Sequence, residues 1–323
     1  MNAAGRLGLY AAGVAVAFAG AYGISAAVVP AGLAAELTKG SSMQEHQGMA
    51  HGASTNEALP GLSLSAGGYV LSSVHAPAAV GESGELSFKI LADNGEPLRD
   101  FERSHEKDLH LIAVRSDGAH FRHVHPVLNQ KTGTWSLPWD WEAAGTYRVY
   151  ADFAPAVEGG PDKLTLSRTV DVAGELVPAT ATETRTTAHV DGFNLSLEGD
   201  LVAGSTSELT ISISRDGEPV TGLEPYLGAF GHLVALREGD LAYLHVHAEG
   251  DEPQPGDTSG PEIGFAAAAP TAGRYLLYLD FQVAGEVHTA KFVLDAGHGT
   301  GTHDDSGSHD DSGSDSDSGS HGH

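Results

Sequence analysis

The chain has 323 residues, which allows two domains of ordinary size with additional tails. It carries 43 acidic and 17 basic residues, and the formal net charge of −26 argues against a nucleic-acid partner and suits a protein that attracts cations. The chain has no cysteine, which excludes disulfides, thiolate metal sites and cysteine nucleophiles.

The N-terminal segment is uncharged over residues 7–35, a run longer than the roughly 20 residues needed to span a bilayer. Arg6 precedes this run and Glu36 follows it, which places the N-terminus on the cytoplasmic side by the positive-inside rule. We therefore expect residues 1–35 to be a signal anchor with one transmembrane helix. The bulk of the chain would then lie outside the cytoplasm, at the cell membrane. A cleaved signal peptide is the alternative, because small residues near the end of the run could form a cleavage site.

Residues 36–60 form a polar linker that contains Met43, His46, Met49 and His51. Thioether and imidazole groups together suit the capture of Cu(I) in an oxidising compartment. A flexible spacer without any metal role accounts for the same composition, so both interpretations remain open.

Two copies of one β-rich unit follow, at residues 61–176 (the first copy) and 188–296 (the second copy), joined by a linker at 177–187. Residues 94–97 read Asn-Gly-Glu-Pro and residues 216–219 read Asp-Gly-Glu-Pro, one of several such matches. Each copy shows about seven short β-rich runs separated by turn residues, as a seven-stranded sandwich does. The expected fold class is all-β, with two tandem immunoglobulin-like seven-stranded sandwiches after one N-terminal transmembrane helix.

Each copy contains a predicted hairpin whose histidines should converge. In the first copy a two-residue turn at Asp117-Gly118 sets His110 opposite His125, with His123 beside His125 on the same face. In the second copy the turn at Gly239-Asp240 sets His232 opposite His247, with His245 alongside. We expect the two hairpins to belong to separately packed domains.

Three clustered imidazoles lose solvation and repel one another when protonated, and a bound divalent cation would offset that cost. Neutral imidazole is also the commonest metal ligand among side chains. The predicted ligands form one site in each copy: His110, His123 and His125, and His232, His245 and His247. Copper is the expected metal and zinc the alternative. Asp152 and Asp280, on matching strands, are candidates to orient an imidazole. The alternative is that these histidines are polar residues at a strand end that point into water.

The last segment, residues 297–323, consists of Gly, Ser, Thr, Asp and His and has no apolar side chain to bury, so we expect it to be disordered. Its histidines and aspartates could buffer metal ions loosely, or the segment could serve only as a solubilising acidic tail.

The residues around the first hairpin resemble a known family. Residues 104–115 (Ser-His-Glu-Lys-Asp-Leu-His-Leu-Ile-Ala-Val-Arg) and 121–126 (Phe-Arg-His-Val-His-Pro) look like the bacterial extracytoplasmic heavy-metal-associated β-sandwich proteins of the YtkA/FixH-like group. The second copy is similar to the version found in actinobacterial membrane-anchored members. The resemblance covers both copies and implies a role near copper efflux or copper oxidase assembly, with a metal transporter or an oxidase assembly protein as partner.

The two copies depart from each other at the motif. Leu227 stands where the first copy has His105, and Ala248 stands where it has Pro126, so the two sites need not bind alike. His288 occurs only in the second copy and is a further candidate ligand there, although a plain strand histidine fits the sequence equally.

The sequence thus predicts a metal-binding protein for sequestration or delivery. One alternative is a β-sandwich protein-interaction module whose histidines are structural. Another is a zinc enzyme, because three histidines and a water also form a catalytic zinc site. We do not expect an enzyme, since no general base or nucleophile stands at a defined spacing.

Overall fold

A computed structural model describes residues 59–180, 183–254 and 256–298, except for the side chain of His245. The predicted anchor, nearly all of the Met- and His-containing linker and nearly all of the C-terminal tail lie outside the described residues. Within the described ranges, no helix has the length and apolar character needed to cross a membrane.

β-Strands make up all the regular secondary structure of the described residues, which confirms the all-β prediction. The strands of the first copy are β1 (Ser65–Ala66), β2 (Tyr69–Leu71), β3 (Ser83–Phe88), β4 (Ile90–Ala92), β5 (Phe101–Glu102), β6 (Leu109–Arg115), β7 (Arg122–Val124), β8 (Val127–Asn129), β9 (Thr134–Asp140), β10 (Gly145–Pro155) and β11 (Leu164–Val172). The strands of the second copy are β12 (Thr187–Val190), β13 (Phe193–Glu198), β14 (Leu201–Ala203), β15 (Thr206–Arg215), β16 (Glu218–Pro219), β17 (Leu223–Glu224), β18 (His232–Arg237), β19 (Tyr243–Ala248), β20 (Glu262–Ala268), β21 (Gly273–Val283) and β22 (Glu286–His298).

Two layers of sheet enclose the core of the first copy. One layer has the strand order β11-β10-β6-β7, and β3-β9-β8 form a sheet of the other layer. Leu86 of β3 lies in one buried cluster with Leu111 of β6 and Val149 of β10. The first copy is therefore a β-sandwich.

The second copy has the same two layers, but β19 joins them into one continuous sheet with the order β12-β13-β15-β20-β19-β18-β21-β22-β14. Leu195 of β13, Phe265 of β20 and Leu277 of β21 share its core. On β13 buried residues alternate with more exposed ones, as expected for a sheet with one face in water.

Strand β6 departs from that alternation, because all of its residues are buried. Leu111 faces the core of the first copy, whereas Ile112 and Val114 belong to a third cluster that also contains Val234 and Leu236 of β18. A strand buried on both faces is apolar over most of its length. The sheet faces that carry β6 and β18 therefore pack against each other.

Reciprocal hydrogen bonds join the two copies. Tyr150 Oη donates to the carbonyl oxygen of Leu241 at 2.6 Å, and Tyr278 Oη donates to that of Gly118 at 2.7 Å. Each tyrosine thus binds the hairpin loop of the other copy. The expectation that the two hairpins belong to separately packed domains is wrong, because their outer faces form a shared core.

The predicted register of the first hairpin is confirmed. Leu111 pairs with Val124 and Ile112 with His123, the register that directs His110 and His125 to the same end of the hairpin. The second hairpin begins in its predicted register, with Ala235 paired to Leu244.

The prediction that each hairpin has a two-residue turn is wrong. In the first copy the Arg115 N–H donates to the carbonyl oxygen of Ala119 at 2.9 Å, closing a wider loop around residues 116–118. The Asp117 carboxylate binds the Arg115 guanidinium at 2.8 Å and accepts from the Ala119 N–H at 3.2 Å. Arg237 and Asp240 form the same pair in the second copy. A side-chain acceptor within the loop stabilises the wider turn.

Candidate metal centre

Three histidines of the first copy converge at the end of its hairpin. His110 lies on β6, His123 on β7 and His125 directly after β7. His110 Nδ1 is 3.1 Å from His123 Nε2 and 3.1 Å from His125 Nε2. One ring nitrogen from each residue lies within 4.8 Å of the others. The structure therefore brings together the three residues predicted for the first site.

The outer nitrogens of two of these rings have partners that fix their protons. His110 Nε2 lies 2.9 Å from the carbonyl oxygen of Ser104, which only accepts, so Nε2 carries the proton. His123 Nδ1 donates to Asp280 Oδ2 at 2.8 Å. In the neutral rings the inner nitrogens, His110 Nδ1 and His123 Nε2, are then both acceptors. Their lone pairs face each other at 3.1 Å.

This spacing fits a coordinated metal ion. Ligand nitrogens held about 2.0–2.1 Å from a tetrahedral ion lie about 3.3 Å apart. The 3.1 Å separations around His110 Nδ1 are close to that value. Two of the three pairs thus have the spacing of ligands to one ion, whereas the three nitrogens as a set lie within 4.8 Å of one another. The triad would therefore contract around a bound ion and leave a fourth position for water or another donor.

A carboxylate from the second copy orients a histidine of the first. Asp280 lies on β21, its side chain is 4% exposed, and that of His123 is 0% exposed. Thr289 Oγ1 donates to the other Asp280 oxygen at 2.5 Å. Asp152, its counterpart in the first copy, instead binds Thr165 at 2.8 Å and the Lys163 ammonium at 3.0 Å. Of the two candidate orienting carboxylates, Asp280 alone has a described contact with an imidazole.

The surroundings of the site keep the imidazoles of His110 and His125 uncharged. Burial, followed by the influence of His123, lowers the pKa of His110 from 6.5 to about 4. The same two causes lower the pKa of His125 to about 3. Neutral imidazole is the form that coordinates a metal, so both rings are ready to bind at neutral pH.

The histidines of the second copy are arranged differently. His232 stacks on His110, with ring centroids 5.4 Å apart and planes inclined by 6°, and its ring centroid is 4.8 Å from that of His123. The β18–β19 ladder ends at Leu244, and from His245 onward β19 pairs with β20, where His247 pairs with Ala266 and is exposed. The facing of His232 and His247 expected from the hairpin register is therefore not formed in the strand pairing. His232 lies instead against the first triad.

Two further histidines have distinct places. The ring of His105 lies 5.3 Å from that of His232 and 6.1 Å from that of His110, so it adjoins the cluster. His288 is buried elsewhere, with Nδ1 2.8 Å from Asp191 Oδ2 and its ring 4.8 Å from that of Phe193. The position of His288 therefore does not support a role as a metal ligand together with the histidines of the second hairpin.

The cross-copy contacts at this centre were not predicted from the sequence. Tyr226 of the second copy approaches His125, with ring centroids 6.5 Å apart, and burial raises its pKa to about 12. The available signal was the continuous apolar run Leu111–Val114 within β6, which indicates a partner on its second face. The pairing of Asp280 with His123 had no such signal, since it joins residues 157 positions apart.

The chain belongs to the family described as "Domain of unknown function (DUF8832)". The family model matches residues 65–173 and again residues 188–298, one match in each copy. No curated protein matches the sequence. The resemblance to the YtkA/FixH-like group stays a prediction.

The solved structures that match part of this chain come from several kinds of protein. A Salmonella alpha-2-macroglobulin mutant is 16% identical with a TM-score of 0.25, and the match covers 75% of this chain and 15% of that one. A putative membrane anchored protein from Corynebacterium diphtheriae is 10% identical with a TM-score of 0.20, covering 70% of this chain and 59% of that one. The FN1–FN3 domains of chicken CNTN1 are 11% identical with a TM-score of 0.18, covering 70% and 66%.

Proposed function

We propose that this protein binds a transition-metal ion outside the cytoplasm, copper first and zinc second, and that it sequesters the ion or delivers it. The observation that carries the proposal is the 3.1 Å approach of His110 Nδ1 and His123 Nε2. Both nitrogens are acceptors, because the protons of the two rings are held by Ser104 and Asp280. A cation bound between them converts this repulsion into two coordinate bonds.

A proton is a weaker explanation than a metal ion. Burial lowers the pKa of His110 to about 4 and that of His125 to about 3, so neither ring takes up a proton readily near neutral pH. His125 Nε2 can donate to His110 Nδ1 when it carries the proton of its ring, but His123 Nε2 still faces the His110 lone pair. Burying such an acceptor without a donor costs about 1–3 kcal/mol. A metal ion satisfies all three nitrogens at once and leaves the outer hydrogen bonds intact.

The donor set favours copper or zinc. Three imidazole nitrogens without thiolate suit Cu(II) and Zn(II), and copper binds more tightly in the series of divalent ions. The C-terminal tail and the linker, with Met43 and Met49, would supply additional weak ligands. We propose binding and transfer, with no catalytic step.

The proposal includes the predicted setting of the protein. The two sandwiches would be immunoglobulin-like modules held at the outer face of the cell membrane by residues 1–35. A metal transporter or an oxidase assembly protein would be the partner, as the resemblance to the YtkA/FixH-like group implies.

Metal analysis of the full-length protein tests the proposal. After equilibrium dialysis against copper or zinc, the wild type should retain one tightly bound equivalent more than a His110→Ala/His123→Ala double variant. His120→Ala is the matched control, because His120 belongs to the same hairpin but pairs with Glu142 at 3.3 Å. Equal retention by the wild type and the double variant would overturn the triad as the site. A wild type that binds neither metal would favour the interaction-module alternative.

A further inference from the structure

His105 lies on the side of the histidine cluster that faces a cleft between the two copies. Its ring contacts both His110 and His232, whose own rings are stacked. His110 is 2% exposed, whereas His105 is more exposed and lines the cleft. Among the described histidines that contact His110, His105 is the one that also lines this cleft.

The backbone at His105 is held in an unfavourable conformation. Its φ is 50° and that of Glu106 is 63°, both in the left-handed region. A residue other than glycine is disfavoured in this region, because its Cβ approaches the backbone too closely. Leu227, at the matching position of the second copy, has a φ of 58° and is followed by Gly228. The turn is thus common to both copies, but only the first copy places an imidazole on it.

The cleft has a volume of about 930 Å³ and is lined from both copies. Its carboxylates outnumber its cationic side chains, and four of them, Glu249, Asp251, Glu252 and Glu262, belong to the second copy. Residues 248–253 form one wall of the cleft and begin at the end of β19. Strand β19 separates from β18 after Leu244 and pairs with β20 instead. The strand switch that removes His247 from the predicted facing position therefore also shapes the cleft.

A carboxylate adjoins His105 within this cleft. A Cβ atom built on Gly228 would lie 3.3 Å from Glu252 Oε1 and 3.7 Å from His105 Cα. The Glu252 carboxylate and the His105 backbone, one from each copy, therefore both lie beside Gly228. A cleft lined by negative charge raises the local concentration of cations. The imidazole of His105 is part of the lining of this cleft.

We propose that this cleft is the route by which the metal ion reaches the triad, and that His105 is the transient ligand that passes it inward. The inference rests on the proposed function, since it presumes that the triad binds a metal ion. The ion would exchange hydration water for His105 at the inner end of the cleft. It would then move past the stacked pair of His232 and His110 to the three converging nitrogens.

The test measures the rates of metal binding to the full-length chain. Co²⁺ is the probe, because its visible absorption in a four-coordinate nitrogen site differs from that of loosely bound ions. His105→Leu is the informative variant, since leucine already occupies the same backbone conformation at position 227. A His110→Ala variant gives the background from histidines outside the triad.

His105→Leu should slow association and dissociation of Co²⁺ by the same factor, about ten-fold, with the dissociation constant unchanged. A residue that the ion only passes changes the barrier in both directions and leaves the equilibrium untouched. His189→Leu is the matched control, because His189 is exposed and bonds to Asn194 at 3.0 Å, away from the cleft. Its rates should equal those of the wild type.

The acidic lining gives a second, independent measurement. Glu249→Gln/Glu252→Gln should slow association about three- to ten-fold at low salt and make it less dependent on salt. Glu85→Gln/Glu96→Gln removes the same charge from exposed positions outside the cleft lining and should change neither property.

Several outcomes would overturn the inference. Unchanged rates in His105→Leu would exclude a passage through this residue and leave the proposed function intact. A large rise in the dissociation constant would make His105 an equilibrium ligand, which also contradicts a transient role. A wild type without the four-coordinate Co²⁺ spectrum would remove both the inference and the proposed function. Near-ultraviolet circular dichroism of each variant checks that the fold is retained.

Discussion

The chemistry of the centre depends on residues that hold the histidines as much as on the histidines themselves. Asp280 accepts the Nδ1 proton of His123 and thereby directs the lone pair of Nε2 toward the triad. Carboxylates in this position fix the tautomer of a ligand and raise its basicity, and their loss typically weakens metal binding by about 10–100-fold. The orientation of His123 is thus supplied by the second copy, whereas that of His110 comes from Ser104 of the first copy.

We expect Asp280→Asn to weaken copper or zinc binding by about 10–100-fold, because asparagine keeps the shape but loses the charge that stabilises the His123 N–H. Asp152→Asn is the matched control, since Asp152 occupies the equivalent strand position but binds Lys163 and Thr165. Calorimetric titration of both full-length variants measures the difference. Equal effects of the two substitutions would show that the contact with His123 is not what matters.

At the scale of single residues, the sequence predicted the position of some of the histidines at this centre but not of others. The spacing of His110, His123 and His125 sufficed to bring them together, because the pairing and alternation of a hairpin are local properties. The sequence pattern assigned His232 to a separate site in the second copy. Its partner at the cluster is His110 of the other copy, and nothing in a local hairpin pattern specifies that contact.

At the scale of strands, the two hairpins show what local patterns leave undetermined. In the first copy β7 is short and stays beside β6. In the second copy β19 pairs with β18 only over Tyr243 and Leu244 and then joins β20. Both hairpins start in the predicted register, but the choice of neighbour beyond Leu244 depends on how the two layers of the sandwich meet.

The apolar runs of β6 and β18 carried more information than the hairpin prediction used. Strands with one face in water alternate, as β13 does, whereas every residue of β6 is buried. A continuous apolar run such as Leu111–Val114 indicates burial on both faces. The shared core between the copies could therefore have been predicted from the sequence, although its angle and register could not.

Gly118 provides a test of this packing between elements. Its φ is 73°, and an added Cβ would lie 2.2 Å from Leu276 Cδ1 of the second copy. We expect Gly118→Ala to lower the free energy of unfolding by about 1 kcal/mol for the backbone conformation and a further 1–3 kcal/mol for overpacking. Denaturant unfolding of the full-length protein measures the change.

Gly95→Ala is the control for that experiment. Gly95 has a φ of 80° but nothing within 4 Å of the added Cβ, so its substitution carries only the backbone cost. The difference between the two variants isolates the contact between the copies. Equal losses would mean that the loop at Gly118 does not press against β21.

At the scale of the whole molecule, the two copies form one body around three buried clusters. The third cluster draws Ile112 and Tyr150 from one copy and Leu236 and Tyr278 from the other. Neither copy can unfold without exposing that cluster and the hydrogen bonds of its two tyrosines. The copies are therefore expected to be coupled in stability.

We expect residues 59–298 to unfold in one cooperative transition within the full-length protein. Differential scanning calorimetry should give a calorimetric enthalpy equal to the van't Hoff enthalpy for that transition. Tyr278→Phe removes one cross-copy hydrogen bond and should lower the transition temperature without splitting it. Two separate transitions in the wild type would contradict the shared core.

The buried histidines make the stability of the whole molecule depend on pH. In the folded, metal-free protein, burial and then the neighbouring His123 hold the pKa of His110 at about 4 and that of His125 at about 3. In the unfolded chain both return to about 6.5. Below pH 6.5 the unfolded chain therefore binds protons that the folded protein does not. The stabilising contribution of the neutral rings is fully present above pH 6.5 and is lost as the pH falls toward 4 and 3.

We expect the free energy of unfolding of the metal-free protein to fall between pH 6.5 and about 4.5. Each of these two histidines should contribute about 1.4 kcal/mol per pH unit once the unfolded chain is protonated. Denaturant titrations in the presence of a chelator, at half-unit steps of pH, measure the slope. His125→Gln removes one of the two groups and should reduce it, whereas His75→Gln, which removes an exposed histidine, controls for the loss of an imidazole. A slope that is the same in His125→Gln as in the wild type would mean that the ring of His125 is protonated as readily in the folded protein as in the unfolded chain. The triad would then lack the enclosed, uncharged surroundings on which the proposed metal binding depends.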